Sequence, residues 1–142
     1  MAKTIKVVVE KGKGERNFSC FATEDILKSA LIGYGSSARE CIEDFYEVVK
    51  EVQEIREGEG HEWPEVEYTF VFDIGAFFDY YPLNISAFAK YIGMNAAQLR
   101  QYASAAKEPR QVTIDKIRAG MQTLLRDMGT VPLIDRPVTS YN

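Results

Sequence analysis

The sequence predicts an α+β chain. A small β-β-β-α-β unit spans residues 1–72, an all-α helix-turn-helix unit spans residues 73–129, and residues 130–142 form a loosely ordered tail. Three observations carry this reading. The stretches with period-two apolar alternation all lie before Asp73. After Asp73 the apolar residues recur at helical spacing. Finally, Ile85–Ser104, ISAFAKYIGMNAAQLRQYAS, has the spacing of a helix-turn-helix: small Ala89 stands where two helices cross, and Gly93 where the turn needs a positive φ. Phe88, Ile92, Met94, Leu99 and Tyr102 occupy the positions of a shared core.

In chain order, Thr4–Glu10 alternates with Ile5, Val7 and Val9 on one face, a half-buried strand. Lys11–Gly14 (KGKG) is a glycine-punctuated hairpin tip; it lacks the strand–loop–helix setting of a phosphate loop. Residues 17–22 form the second strand and residues 30–34 the third, with Gly35 breaking it. Ser37–Glu40 (SARE) is a capping box, serine onto a free N–H and glutamate reaching back. The helix it starts runs to about Arg56 on a stripe of Cys41, Phe45, Val48, Val52 and Ile55, widened by Ile42 and Val49. Its acidic row, Glu40, Asp44, Glu47, Glu51 and Glu54, reads first as a solvated flank and second as a surface for a basic protein. Val66–Phe72 is the fourth strand, with Val66, Tyr68, Phe70 and Phe72 inward.

Asp73–Pro82 begins with a capping residue, ends in proline and reads as a short linking helix. Asn84 and Asn95 are placed to cap the two helices of the motif. Thr113 is placed to cap a last helix carrying Ile114, Ile117, Met121, Leu124 and Leu125.

Composition narrows the function. No apolar run approaches the ~20 residues of a membrane span, and the N-terminal residues show no export signal, so no membrane partner and a cytoplasmic location are expected. Cys20 and Cys41 are then expected to be reduced thiols, neither a disulfide framework nor a metal site. The lone histidine, His61, has no partners at metal-ligand or triad spacing, so no catalytic residue, metal or cofactor is expected. Residues 1–72 hold 9 Lys/Arg and 15 Asp/Glu, a net −6; residues 73–142 hold 8 and 6, a net +2. Leu83–Arg126 carries 7 basic residues against 2 acidic, so a phosphate backbone favours that half.

Binding to double-stranded DNA follows as the expected chemistry. Asn95, Ala96, Ala97, Gln98, Arg100, Gln101 and Ser104 form the base-contacting face. Arg100 suits guanine O6 and N7, Gln101 suits adenine N7 and N6, and the alanines allow close approach to thymine methyls. Ser86, Lys90, Lys107 and Arg110 are the expected phosphate contacts. One such module makes few contacts, so a homodimer or higher homo-oligomer is expected, held through a sheet edge or the last helix.

The order of elements resembles the HicB-type antitoxin family. The likeness rests on IKVVVEKGKGERNFSCF, on IGYGSSARECIEDF and on ISAFAKYIGMNAAQLRQYAS with the later KEP, and covers nearly the whole chain to Gly129. The resemblance implies a partial RNase H-like N-terminal domain that neutralises a small RNA-cleaving toxin of the HicA type. It also implies a C-terminal domain that represses the operon's promoter, with the DNA-reading helix on the residues named above. The chain departs from the family in ATEDILKSALIGYG, which lacks the usual proline and cysteine, and at Ala105, where a glycine usually follows the recognition helix. The alternative expectation is a protein-interaction or oligomerisation module without DNA binding, favoured by the overall acidity and the single arginine on the reading face.

Overall fold

Branched side chains at every second position make Lys3–Glu10 (β1) a strand with one dry face, and the whole N-terminal half is built on it. The computed structural model describes residues 2–135. It is a mixed α/β structure with one four-stranded mixed sheet and five helices among the described residues. Phe18–Ala22 (β2) pairs antiparallel with β1, Val8 opposite Phe21. Ile32–Gly35 (β3) pairs antiparallel with β2, and Val66–Phe72 (β4) runs parallel to β1, giving the order β3-β2-β1-β4. Ala38–Gly58 (α1) carries the chain from one edge to the other across a single face. Ile5, Val7, Val9, Phe18 and Cys20 are buried beneath Cys41, Phe45 and Val49 of α1. Tyr68, Phe70 and Phe72 of β4 pack beside them half-buried.

Several boundaries differ from the sequence reading, each for a local reason. The third strand is residues 32–35 rather than 30–34, and Gly35 belongs to it, paired with Phe18. Before it the chain makes a two-residue turn at Leu27 (φ 49°) and Lys28 (φ 63°), closed by reciprocal bonds between Ile26 and Ser29 of 3.1 and 2.9 Å. Buried Ile26 and Leu31 belong to this turn and its exit, which is why the apolar run overstated the strand. Gly33 and Gly35 are needed because α1 lies directly on them: a Cβ on Gly33 would stand 2.7 Å from Phe45 Cα. The helix stripe centres on Cys41, Phe45 and Val49, one ridge of i+4 steps, while Ile55 is 60% exposed where α1 overruns the sheet.

Ser37 caps α1 as expected, accepting from Glu40 N at 3.1 Å. Glu40 reaches one residue further back than a capping box, to the N–H and hydroxyl of Ser36, and those bonds hold its carboxyl below the ordinary carboxylate range. Capping of α1 is shared with Asp79, which accepts from Ala38 N at 2.8 Å.

Asp79 lies on Ile74–Tyr80 (α2), the short helix expected after Asp73. α2 has two dry sides. Ala76 is buried in the sheet–α1 core, whereas Ile74 and Phe78 pack on a second core of Phe88, Ala89, Leu99 and Ile117. That second core joins Ile85–Ile92 (α3), Ala96–Ala103 (α4) and Gln111–Thr130 (α5). α5 starts three residues earlier than a Thr113 cap requires. Arg110 is extended (φ −74°, ψ 160°) and the helix begins directly after it, with no side-chain cap. Ile117, Met121 and Leu124 pack in the core and Ile114 is half-buried outside it, but Leu125 is 70% exposed because α5 runs past the helices it packs on. Of the expected tail, Val131–Asp135 carries no regular element and residues 136–142 lie outside the described residues. Among the described residues no helix is long and apolar enough to cross a membrane.

The close approach of α1 to β3 sets a sharp expectation. Gly33→Ala drives a methyl into the Phe45 backbone, which cannot rotate away, so chemical denaturation should show a loss of about 3 kcal/mol. An unchanged midpoint would mean that α1 does not sit on this glycine.

Candidate nucleic-acid interface

The local sequence of residues 84–104 fixes its own geometry. Asn84 Oδ1 accepts from Ala87 N at 2.9 Å and Asn95 Oδ1 from Gln98 N at 3.0 Å, so both asparagines cap as expected. Gly93 has φ 73° and ψ 35°, and its N–H returns to the carbonyls of Ala89 and Lys90 while Met94 N bonds Ala89 O at 2.8 Å. A Cβ on Gly93 would meet nothing within 4 Å, so the glycine serves the backbone conformation alone. Buried Ala89 lets α3 and α4 approach, with Phe88 and Leu99 closing the core between them.

Dry residues on one side leave a polar face on the other. Asn95, Ala97, Gln98, Arg100, Gln101 and Ser104 are exposed, and Ala96 is half-buried against the core. Ala97 and Gln101 stand one turn apart, as do Arg100 and Ser104, so they form adjacent rows. Arg100 Nη1 donates to Ser86 Oγ at 2.8 Å, which joins α4 to the first turn of α3 and fixes the guanidinium over the exposed face. Lys90 stands one turn after Ser86 on the same helix and is exposed. Gln98 Nε2 donates to Tyr102 OH at 3.1 Å, and Ser104 Oγ donates to the Gln101 carbonyl at 3.2 Å. Among the described residues the Gln101 side chain makes no hydrogen bond. Lys107 and Arg110 lie exposed on the loop that leaves α4, with Lys107 N bonded to Gln101 O at 3.2 Å. Ser86 and Arg100 are thus brought together, with Lys90 one turn along α3 and Gln101 next to Arg100 in α4, while Lys107 and Arg110 follow the C-terminal end of α4.

Two features lay outside the sequence reading of this surface. Lys116 of α5 donates to the Gly93 carbonyl at 3.1 Å, placing a cation on the C-terminal end of α3. Nothing in the sequence signals it, because the partners are 23 residues apart. Ala105 has φ 62°, a left-handed backbone at the position where the resembled family has glycine; a Cβ there costs about 1–2 kcal/mol.

Cys20 and Cys41 are both free and buried. Burial pushes the Cys41 thiol up to about 11 and the Cys20 thiol higher still, so both stay protonated at neutral pH. His61 is exposed in the loop before β4.

Taken together, this is a mixed α/β protein whose sheet half is acidic and whose helical half presents a capped two-helix unit with a polar, arginine-bearing face. Set against known proteins, the chain matches no family model, and neither a curated protein nor a solved structure matches it significantly.

Ala105→Gly should raise stability by about 0.5–1 kcal/mol, since the left-handed strain relieved exceeds the added backbone entropy. A lower melting temperature for this variant would count against the strained turn. Titration with a thiol reagent at pH 8 should find both cysteines unreactive until denaturant unfolds the sheet; fast labelling of the native chain would contradict the burial of Cys20 and Cys41.

Proposed function

We propose that the chain is a sequence-specific regulator that binds double-stranded DNA, with α3, the Gly93 turn and α4 acting as a helix-turn-helix. In this reading the N-terminal half is the partial RNase H-like domain of a HicB-type antitoxin, and the protein represses its own promoter. Toxin neutralisation belongs to the same reading: the sheet–α1 half holds a small RNA-cleaving partner of the HicA type. The observation that carries the DNA half is the Arg100–Ser86 bond. It pre-orients a guanidinium on an exposed, otherwise small and polar helix face, which is the arrangement bidentate guanine recognition needs. Lys90, Lys107 and Arg110 supply phosphate contacts around it. None of the ion pairs among the described residues, Lys3–Glu24, Arg56–Glu59 and Arg118–Asp115, uses these cations.

A dimer suits a two-fold operator, with recognition helices about 34 Å apart. The end of α5 and the segment after it support self-association: Leu125, Met128, Val131, Leu133 and Ile134 are 57–87% exposed within ten residues. The same apolar end also favours the second reading, an oligomerisation module that does not touch DNA.

The two readings part on one measurement. Selection of bound duplexes from a random pool should return a guanine-containing half-site, and Arg100→Ala should weaken that site by about 1–3 kcal/mol while leaving the oligomeric state unchanged. Recovery of no sequence, with unaltered association, would leave only the oligomerisation module. Co-purification of a small basic protein encoded beside this one would support the toxin claim, and its absence would confine the protein to DNA.

A further inference from the structure

The acidic half of the chain should be repelled by DNA, yet its one cationic loop is built against the helical half. Lys11 N donates to Asp73 Oδ2 at 3.2 Å, and Asp73 N donates to Val9 O at 3.0 Å, so the stalk of the β1–β2 hairpin is tied to the N-cap of α2. α2 in turn rests on α4, because Gly75 leaves room only for the Ala103 carbonyl. These two fixed contacts place the hairpin tip beside the loop that leaves α4. Between them lies a groove of about 640 Å³, with Lys11, Gly12 and Lys13 on one bank and Ala105, Ala106 and Lys107 on the other.

The tip is a tight turn with Lys13 at its second position. Glu15 N bonds Gly12 O at 3.1 Å and Gly14 has φ 77°, the third-position value of a type II turn, so Lys13 stands at the outer corner. Lys13 is exposed and takes part in no ion pair among the described residues. Lys11 is different: its ammonium folds over the Phe18 ring at 5.5 Å. The groove also carries Glu10, Asp73 and Glu108. Asp73 is half-buried, with its carboxylate engaged by the N–H groups of Lys11 and Ala76. The exposed charges of the mouth are therefore Lys13 and Lys107, with Glu108 beside the latter.

We propose that the Lys11–Gly14 hairpin tip is a DNA-phosphate contact, in which Lys13 grips the backbone across the groove from Lys107. This extends the interface beyond the helix-turn-helix and rests on the DNA-binding reading above. The partner is the sugar–phosphate backbone of duplex DNA next to the bases under α4. The contact is independent of sequence, so it adds affinity and register without changing the bases read. It also gives the sheet half a task on DNA, pinning it over the duplex flank.

Fluorescence anisotropy with the full-length chain and a labelled 30-base-pair random-sequence duplex tests this across about 50 to 200 mM salt. Lys13→Ala should reduce the slope of log affinity against log salt by about 0.9, the value for one phosphate no longer neutralised, and Lys107→Ala should do the same. Lys13→Glu should weaken binding at 50 mM salt at least tenfold, with the same melting temperature as the parent chain. If the parent and Lys107→Ala differ in slope but both Lys13 variants match the parent, the hairpin tip is off the DNA and the inference fails while the DNA reading stands. If the parent chain shows no salt-dependent affinity, the DNA reading itself falls and the tip contact with it.

Discussion

Asp73 accepts two backbone N–H bonds, from Ala76 at 2.8 Å and from Lys11 at 3.2 Å, and one peptide later the chain has turned from strand to helix. The remaining architecture depends on that turn. A carboxylate that accepts N–H bonds in a half-buried site is worth more than a neutral pair, about 1.5–3 kcal/mol for each charged bond. Six residues on, Asp79 accepts from the first amide of α1 at 2.8 Å. One seven-residue helix thus fixes the hairpin stalk, the start of the long helix and, through Gly75, the end of α4. The second core is small: among the described residues Phe88, Ala89, Leu99 and Ile117 are its buried members. Burying Ala76 on one side and packing Ile74 and Phe78 on the other makes the two cores continuous.

The candidate interface shows a division of labour. Its backbone is set by short-range devices: two asparagine caps, a left-handed glycine and a small residue at the crossing. Its side chains are set by tertiary contacts, chiefly Ser86 beneath Arg100 and Lys116 against the Gly93 carbonyl. In the proposed DNA-binding reading, pre-orientation of the arginine would lower the entropy lost on reaching a base edge. Ser86, read from sequence as a phosphate contact, is placed to act on Arg100 first.

What the sequence made legible was whatever is encoded over a few residues. The alternation of Ile5, Val7 and Val9, the caps at Ser37, Asp73, Asn84 and Asn95, and the turn at Gly93 are all found where local chemistry puts them. The errors came where a distant contact overrides a local signal. Gly35 looks like a breaker until α1 is laid on it. Leu27 and Lys28 carry no turn signal, yet both adopt positive φ because Ile26 and Leu31 must be buried on either side. Leu125 follows the helical period but outruns its partner helices, and periodicity cannot report where a neighbour ends. The exposed face of α4 was legible residue by residue; the Arg100–Ser86 pairing, 14 residues apart, was not.

The parallel pairing of β1 with β4 carries a consequence for how the chain is made. Lys3 faces Val66, so the central strand finds its second neighbour only after some sixty further residues have been added. During synthesis the β1–β2 hairpin and α1 emerge first, with one side of β1 still unpaired. That side is rich in valine and open to misplaced pairing until Phe72 has left the ribosome. Contacts so far apart in sequence also slow folding, whereas α3 and α4 close on each other within twenty residues. The nascent protein therefore completes its acidic half late, shortly before its helical half, and its interval of greatest need for a chaperone is set by the distance from β1 to β4.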